Sequence, residues 1–229
     1  MNEKLQQYLQ KLEAEDNFSG VVRITQGSEE RFAAAYGYAS RVWKVRNTLA
    51  TRFDTASMTK LFTAVSTLQL IDQNLLTFDT TVVDFLGLYD TAISPAVNVY
   101  HLLTHTSGIG DDADEENGEV YADLDRFLRD VRAGKLLSPE QTTAFLSPQV
   151  PYRERDDWTM WYGFGLWYYV DKAGRMVCYQ KEGINAGVSG IIRYFPAQDV
   201  SVVLLSNMEE GVWEPIWEIH EMVMAGWLG

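Results

Sequence analysis

The chain has 229 residues, enough for one well-buried core, and 46% of them are apolar and 13% aromatic, which excludes a disordered or low-complexity protein. Its 32 acidic residues outnumber 19 basic ones for a net charge of -13, without a Lys/Arg run, so neither nucleic acid nor an anionic membrane surface is an expected partner. One cysteine, Cys178, excludes an internal disulfide and reads as a small core residue, and no apolar run reaches the ~18 to 20 residues of a bilayer span.

At the N-terminus, MNEKLQQYLQKLEAE places Leu5, Tyr8, Leu9 and Leu12 at i, i+3, i+4, i+7 and predicts an amphipathic helix. It lacks the apolar core of a secretory signal, so a cytoplasmic location is expected. FSGVVRITQG and ERFAAAYGYA are β-rich segments around the turn signal QGSEE, a predicted hairpin. From Ser57 to about Gln73, the positions Leu61, Phe62, Ala64, Val65, Leu68 and Ile71 predict a buried helix without Gly or Pro. YHLLTHTSGIG follows as a short apolar run ending in a small-residue turn, and DDADEENGE as an acidic loop. YADLDRFLRDVRAGK and SPEQTTAFLS read as two short helices, the second starting at Ser138 and Glu140. YGFGLWYYV, MVCYQKEG, VSGIIRYFP and VSVVLLSN then read as antiparallel strands. A closing helix carries Trp213, Ile216, Trp217, His220 and Met224 on one side. This order predicts a single α+β domain over residues 1–229, with helices covering an antiparallel sheet.

The stretch FDTASMTKLF holds the main chemical candidate. Residues three apart on a helix share a face, so Ser57 and Lys60 converge if a helix starts near Ser57. A serine hydroxyl needs a base to become a nucleophile, and a lysine serves when burial and nearby positive charge lower its pKa. The apolar helix around Lys60 is expected to supply that burial. A helix N-terminus also offers N–H groups to a developing oxyanion, the Ser57 N–H among them, and QKEGINAG is the candidate strand for a second donor. On these residues alone, Ser57 as an N-cap and Lys60 as a surface residue remains an open alternative.

Other chemistries find less support. No G-x-S-x-G elbow accompanies the three histidines; His105 reads as a structural hydrogen-bonding residue, and His101 and His220 as ordinary helix positions. No H-E-x-x-H or Cys/His cluster suggests a metal, and DDADEENGE has its glycine one position late for a calcium loop. Phosphate-binding glycine spacing is absent, so no cofactor is expected.

Several segments in order resemble the serine β-lactamase and penicillin-binding-protein superfamily, in its class C β-lactamase and family VIII esterase branch. YGYA followed by TRFDTASMTKLFTAVSTLQLIDQNLLTFDTTVVDFL is similar to its nucleophile region and VYHLLTHTSGI to its second landmark. DLDRFLRDVRAGKLLSPE and YGFGLWYYV resemble later stretches, and KEGINAGVSG followed by FPAQDVSVVLLSN its Lys-Thr-Gly or His-x-Gly strand region. The resemblance implies an antiparallel sheet with N- and C-terminal helices on one face and a helical region on the other. The sheet part would be residues 1–52 and 160–229 and a reduced helical part 57–150. It further implies an acylated Ser57 with Lys60 as proton partner, Lys181 and Gly183 lining the cleft, and the Ile184 N–H as second oxyanion donor. The substrate would be a small ester, amide or β-lactam; no oligomeric state is implied.

The chain departs from that pattern twice. The superfamily's Tyr-x-Asn motif is missing, because HTSGIG runs almost directly into DDADEENGEVYADLDRF; Tyr121 is a possible substitute, and the aromatic block Trp158, Trp161, Tyr162, Phe164, Trp167, Tyr168 and Tyr169 holds further phenols, though packing is its simpler role. Glu182 stands where many relatives carry a hydroxyl. Facing the cleft, it would repel carboxylate-bearing penicillins and D-alanyl peptides and favour neutral or cationic esters and amides; facing the other way, it would merely be solvated. The expectation is a Ser57 hydrolase acting as an esterase or amidase on small neutral substrates, with a β-lactamase or D-alanyl peptidase and an inert scaffold as alternatives.

Overall fold

The structure, a computed structural model, describes residues 2–109 and 124–227. In chain order its elements are α1 (Asn2–Ala14), β1 (Gly20–Gln26), β2 (Glu29–Tyr36), β3 (Tyr38–Ser40), β4 (Val45–Arg46), a 3₁₀ turn (Ala56–Thr59), α2 (Lys60–Asp72), α3 (Val82–Leu86), α4 (Val99–Leu103), α5 (Leu124–Arg132) and α6 (Pro139–Phe145). There follow β5 (Val150–Glu154), β6 (Trp158–Tyr162), β7 (Trp167–Asp171), β8 (Met176–Asn185), β9 (Val188–Phe195), β10 (Val200–Ser206) and α7 (Trp213–Met224). The class is α+β. The described residues cluster into two compact units, one of residues 2–59, 124–126 and 176–227, the other of 60–109 and 127–175. Among the described residues no helix is long and apolar enough to cross a membrane.

In the first unit the strands run β2-β1-β10-β9-β8, each pair antiparallel. Alternation along each strand gives the sheet two faces. The back face carries Val22, Ile24, Val202, Leu204, Ile191 and Phe195, all fully buried, together with Leu5, Leu9 and Leu12 of α1 and Ile216 and Ile219 of α7. Removing this apolar surface from water at roughly 25 cal/mol per Å² is the main drive for assembling the unit. α1 and α7 also meet through Tyr8, whose hydroxyl donates to Glu214 Oε1 at 3.1 Å. The helix expected at the N-terminus is present with its expected buried leucines, and β1 and β2 form the expected hairpin.

α7 differs from its sequence reading. The buried stripe is Pro215, Ile216, Ile219, Met222 and Val223, while Trp217 and Met224 are exposed. The buried stripe is rotated by about a third of a turn from the side that carries Trp213, Ile216, Trp217, His220 and Met224, and the two share Ile216.

The second unit holds a three-stranded antiparallel meander, β5-β6-β7, of which β5 and β6 are absent from the sequence-based expectation. Pro151 and a register shift between Pro151 and Arg153 obscure the alternation of β5, and four aromatic or sulfur side chains fill β6. α2 buries Leu61, Ala64, Val65 and Leu68, as its spacing predicts. It is tied to the start of α6, where Ser138 caps the helix by accepting from Gln141 N and donates its own backbone N–H to Asp72 Oδ2 at 2.9 Å. Phe164 stacks on Phe78 at 5.2 Å, and Gly165, at φ 82, passes the first turn of α2, where a Cβ would lie 3.5 Å from Lys60 O and the Ala64 Cβ.

Candidate active site

The segment that carries Ser57 is built by local hydrogen bonds. Asp54 Oδ1 accepts from Ala56 N at 2.8 Å, Met58 N donates to Thr55 O at 3.0 Å, and Thr59 Oγ1 donates to Ala56 O at 3.0 Å. Between them Ala56 sits at φ 43, a left-handed conformation that costs an L-residue about 1–2 kcal/mol. Such strain survives only where the surroundings over-determine it, a common condition at functional turns. The α-helix expected from Ser57 begins at Lys60, and Ser57 lies in the tighter 3₁₀ turn before it.

Two glycines seat that turn on the sheet. Gly183 of β8 and Gly190 of β9 are directly paired across the ladder. A Cβ on Gly183 would stand 2.4 Å from Thr55 O, 3.0 Å from Ser57 N and 3.1 Å from Met58 N; one on Gly190 would stand 2.7 Å from Met58 Sδ. The pair makes a flat spot on the front face of the sheet, and the turn lies on it with Met58 fully buried. Gly190 escaped the sequence reading because only the ladder register reveals that it opposes Gly183.

β8 places the remaining strand candidates. Lys181 alternates with Gly183 onto the front face and is 5% exposed. The two-residue turn at Ala186 and Gly187 closes the β8–β9 hairpin at Asn185 and Val188, so Ile184 and Ser189 form the adjacent non-hydrogen-bonded pair. The Ile184 N–H is therefore turned away from β9 and available to an outside acceptor. Ser57 and the segment carrying Lys181, Gly183 and Ile184, more than a hundred residues apart in sequence, thus lie within one unit.

One expectation in this region changes. Lys60, the first residue of α2, is exposed, so the burial expected from its apolar helix neighbours is not found: it stands at the margin of the stripe formed by Leu61, Ala64, Val65 and Leu68. Tyr121 and the acidic segment 111–119 lie outside the described residues. Of the phenols in the aromatic block, Tyr162, Tyr168 and Tyr169 are all buried, and the Tyr168 hydroxyl donates to Phe145 O, which fits the packing role. His105 is exposed at φ 56 with its ring 5.0 Å from Tyr162, and His101 Nδ1 accepts from Asn98 N in a capping box at the start of α4.

Glu182 points away from the serine. It shares the back face of β8 with Gln180, whose Nε2 donates to Glu182 Oε2 at 3.1 Å. Burial raises the Glu182 pKa, while the Lys181 ammonium and Arg193 guanidinium oppose that rise. Its carboxylate therefore gives no reason to exclude anionic substrates, and that argument for neutral ones falls. Behind the strand, Arg193 is 1% exposed, donates Nε to Gln180 Oε1 at 2.8 Å, and places its guanidinium carbon 4.3 Å from the Trp217 ring centroid. Cys178 is fully buried nearby, and desolvation pushes its thiol up to about 11, as expected of a core residue.

His220 is not an ordinary helix position: its Nδ1 lies 3.1 Å from Arg193 Nη1, so the neutral ring accepts from the guanidinium. Burial, then the positive charge of Arg193, pushes its pKa from 6.5 down to about 4. An unfolded chain therefore takes up a proton on this residue before the folded chain does, and stability falls as the pH drops from about 6.5 to about 4. In His220→Gln, urea midpoints measured across that window are expected to lose part of this pH dependence; an identical profile would show that the ring does not carry it. Arg193 on β9 is the charge that acts on the ring from the sheet, and Glu218 and Glu221 are its acidic neighbours in sequence on α7.

Residues 5–145 match the family model described as Beta-lactamase. Penicillin-binding protein 4 of Amycolatopsis lactamdurans is 34% identical over 97 residues, 41% of this chain, which spans 26% of that protein's length. The penicillin-binding protein of Bacillus halodurans superposes with a TM-score of 0.77 at 20% identity, covering 93% of this chain and 99% of that one. The D-amino acid amidase of Ochrobactrum anthropi SV3, complexed with L-phenylalanine, gives 0.76 at 14% identity and 99% coverage of both. At these identities the two structures share the fold.

Proposed function

Because the chain belongs to the Beta-lactamase family, we propose that it is a serine hydrolase acylated at Ser57, acting on a small ester or amide. The observation that carries this reading is the seating of the strained Ser57 turn on the Gly183–Gly190 pair, which sets a nucleophile beside a strand with an outward-facing N–H. In the proposed sequence Ser57 Oγ attacks the carbonyl carbon as its proton passes to Lys60. The Ser57 and Ile184 N–H groups hold the oxyanion, each such donor typically contributing about 10²- to 10³-fold. The alcohol or amine then leaves, and water releases the acid and regenerates the serine.

Esters lead among the substrates. An alkoxide departs with little proton donation, whereas an amine must be protonated as it leaves, and the Tyr-x-Asn tyrosine that would share that transfer is missing. A second reading, an inert scaffold of the same fold, is favoured by the exposure of Lys60. Turnover of p-nitrophenyl butyrate, nitrocefin and a D-alanine amide by the parent and Lys60→Ala separates these readings. The expected order is ester fastest, with the variant slowed about 10²-fold or more. Nitrocefin as the preferred substrate would favour the β-lactamase alternative, and no turnover of any of the three the scaffold.

A further inference from the structure

A buried arginine lies behind the strand that seats Ser57. On the β9 and β10 part of the back face its neighbours Ile191, Phe195, Val202 and Leu204 are apolar, and Arg193 itself is 1% exposed. Burying such a charge is costly, and a well-packed hydrophobe of similar volume is often as stable or more so. Arg193 is thus a poor choice for stability alone. Its contacts have a direction: Arg193 is the ladder partner of Gln180 and bonds its side chain, and Gln180 in turn bonds Glu182. Residues 180 and 182 alternate with Lys181 and Gly183 on the front. On its other side the guanidinium is held by His220 and Trp217 of α7. α7, Arg193 and the back of β8 therefore form one polar clamp, and what it holds in place is the strand segment against which Ser57 N would meet a Gly183 Cβ at 3.0 Å.

We propose that Arg193 is a positioning residue: through Gln180 and Glu182 it fixes β8 so that Gly183 seats the Ser57 turn and the Ile184 N–H keeps its aim. This rests on the serine hydrolase reading, and two readouts keep the failures apart. The first is fluorophosphonate labelling of Ser57, resolved into the maximal rate and the half-saturating concentration. The second is hydrogen exchange of the β8 peptide in the same samples, which needs no catalysis.

Arg193→Met is expected to lower the melting temperature, because Gln180 Oε1 and His220 Nδ1 lose their donor, to exchange β8 amides faster than those of β1, and to lower the maximal labelling rate about tenfold without changing half-saturation. Arg193→Lys keeps the charge but not the forked donors and should recover only part of the rate. Trp217→Leu, which touches the guanidinium from the exposed side of α7, should loosen β8 in the same sense to a smaller degree and keeps the test valid if Arg193→Met does not fold. A folded Arg193→Met with unchanged exchange and labelling would overturn the proposal, as would unchanged β8 exchange in Trp217→Leu where Arg193→Met does not fold. Faster β8 exchange in a parent that is never labelled would uphold the clamp and defeat the hydrolase reading instead.

Discussion

Ser57→Ala is expected to reduce ester hydrolysis by about 10³-fold or more while leaving the fold unchanged. The turn that carries the residue is fixed by other groups: the Asp54 carboxylate on Ala56 N, the Thr55 carbonyl on Met58 N, and Met58 buried over Gly190. None needs the serine hydroxyl, so thermal melting should match the parent within the range of an ordinary surface change, about 0.5 kcal/mol. A half-buried serine removed with full loss of turnover and no loss of stability is a catalytic residue. Turnover that persists in the variant would place the chemistry elsewhere.

Gly183→Ala is the second large effect expected, and it acts through space alone. Gly183 does not have a positive φ, so the new methyl brings no backbone strain, but it would stand 2.4 Å from Thr55 O and 3.0 Å from Ser57 N. Both obstacles are backbone atoms without a rotamer to change, so either the turn lifts or β8 recedes. Overpacking of this kind costs about 1–3 kcal/mol, and displacement of the nucleophile by about 1 Å costs about 10²-fold in rate. Gly187→Ala, in the same hairpin, supplies the control. That glycine sits at φ 75 with nothing within 4 Å of a Cβ, so its replacement should cost about 1 kcal/mol of stability and no specific activity. Labelling rates beside urea midpoints for both variants check the contrast; equal effects on activity would mean that the Gly183–Ser57 approach has no catalytic weight.

Periodicity made much of the fold readable. Leu5, Leu9 and Leu12 in α1, and Leu61, Ala64, Val65 and Leu68 in α2, are buried where their spacing placed them, because a helix that meets an apolar layer on one side repeats that demand every three or four residues. In α7 the buried stripe is offset from the side carrying the large side chains because Trp217 stacks on a guanidinium instead of entering the apolar layer. β6 was missed because Trp, Met and Tyr on both faces of a strand erase the alternation that marks one.

The candidate site was legible in part for a similar reason. Ser57 and Lys60 announce themselves by spacing, and Lys181 and Gly183 by the resemblance. The exposure of Lys60, the direction of Glu182, the service of Gly190 and the Arg193–His220 contact are properties of register and of packing between distant segments, which no local pattern encodes. Glu182 is the clearest case. Two orientations were equally compatible with its neighbours in sequence, and the hydrogen bond from Gln180 decides between them.

The most direct test is the intact mass of the parent after exposure to a fluorophosphonate, followed by peptide mapping, because it asks whether the serine is activated without presupposing a substrate. One adduct per chain, located on Ser57 and absent from Ser57→Ala, is the expected result. No adduct on a folded parent, or one on another residue, would contradict the assignment of Ser57 as an activated nucleophile.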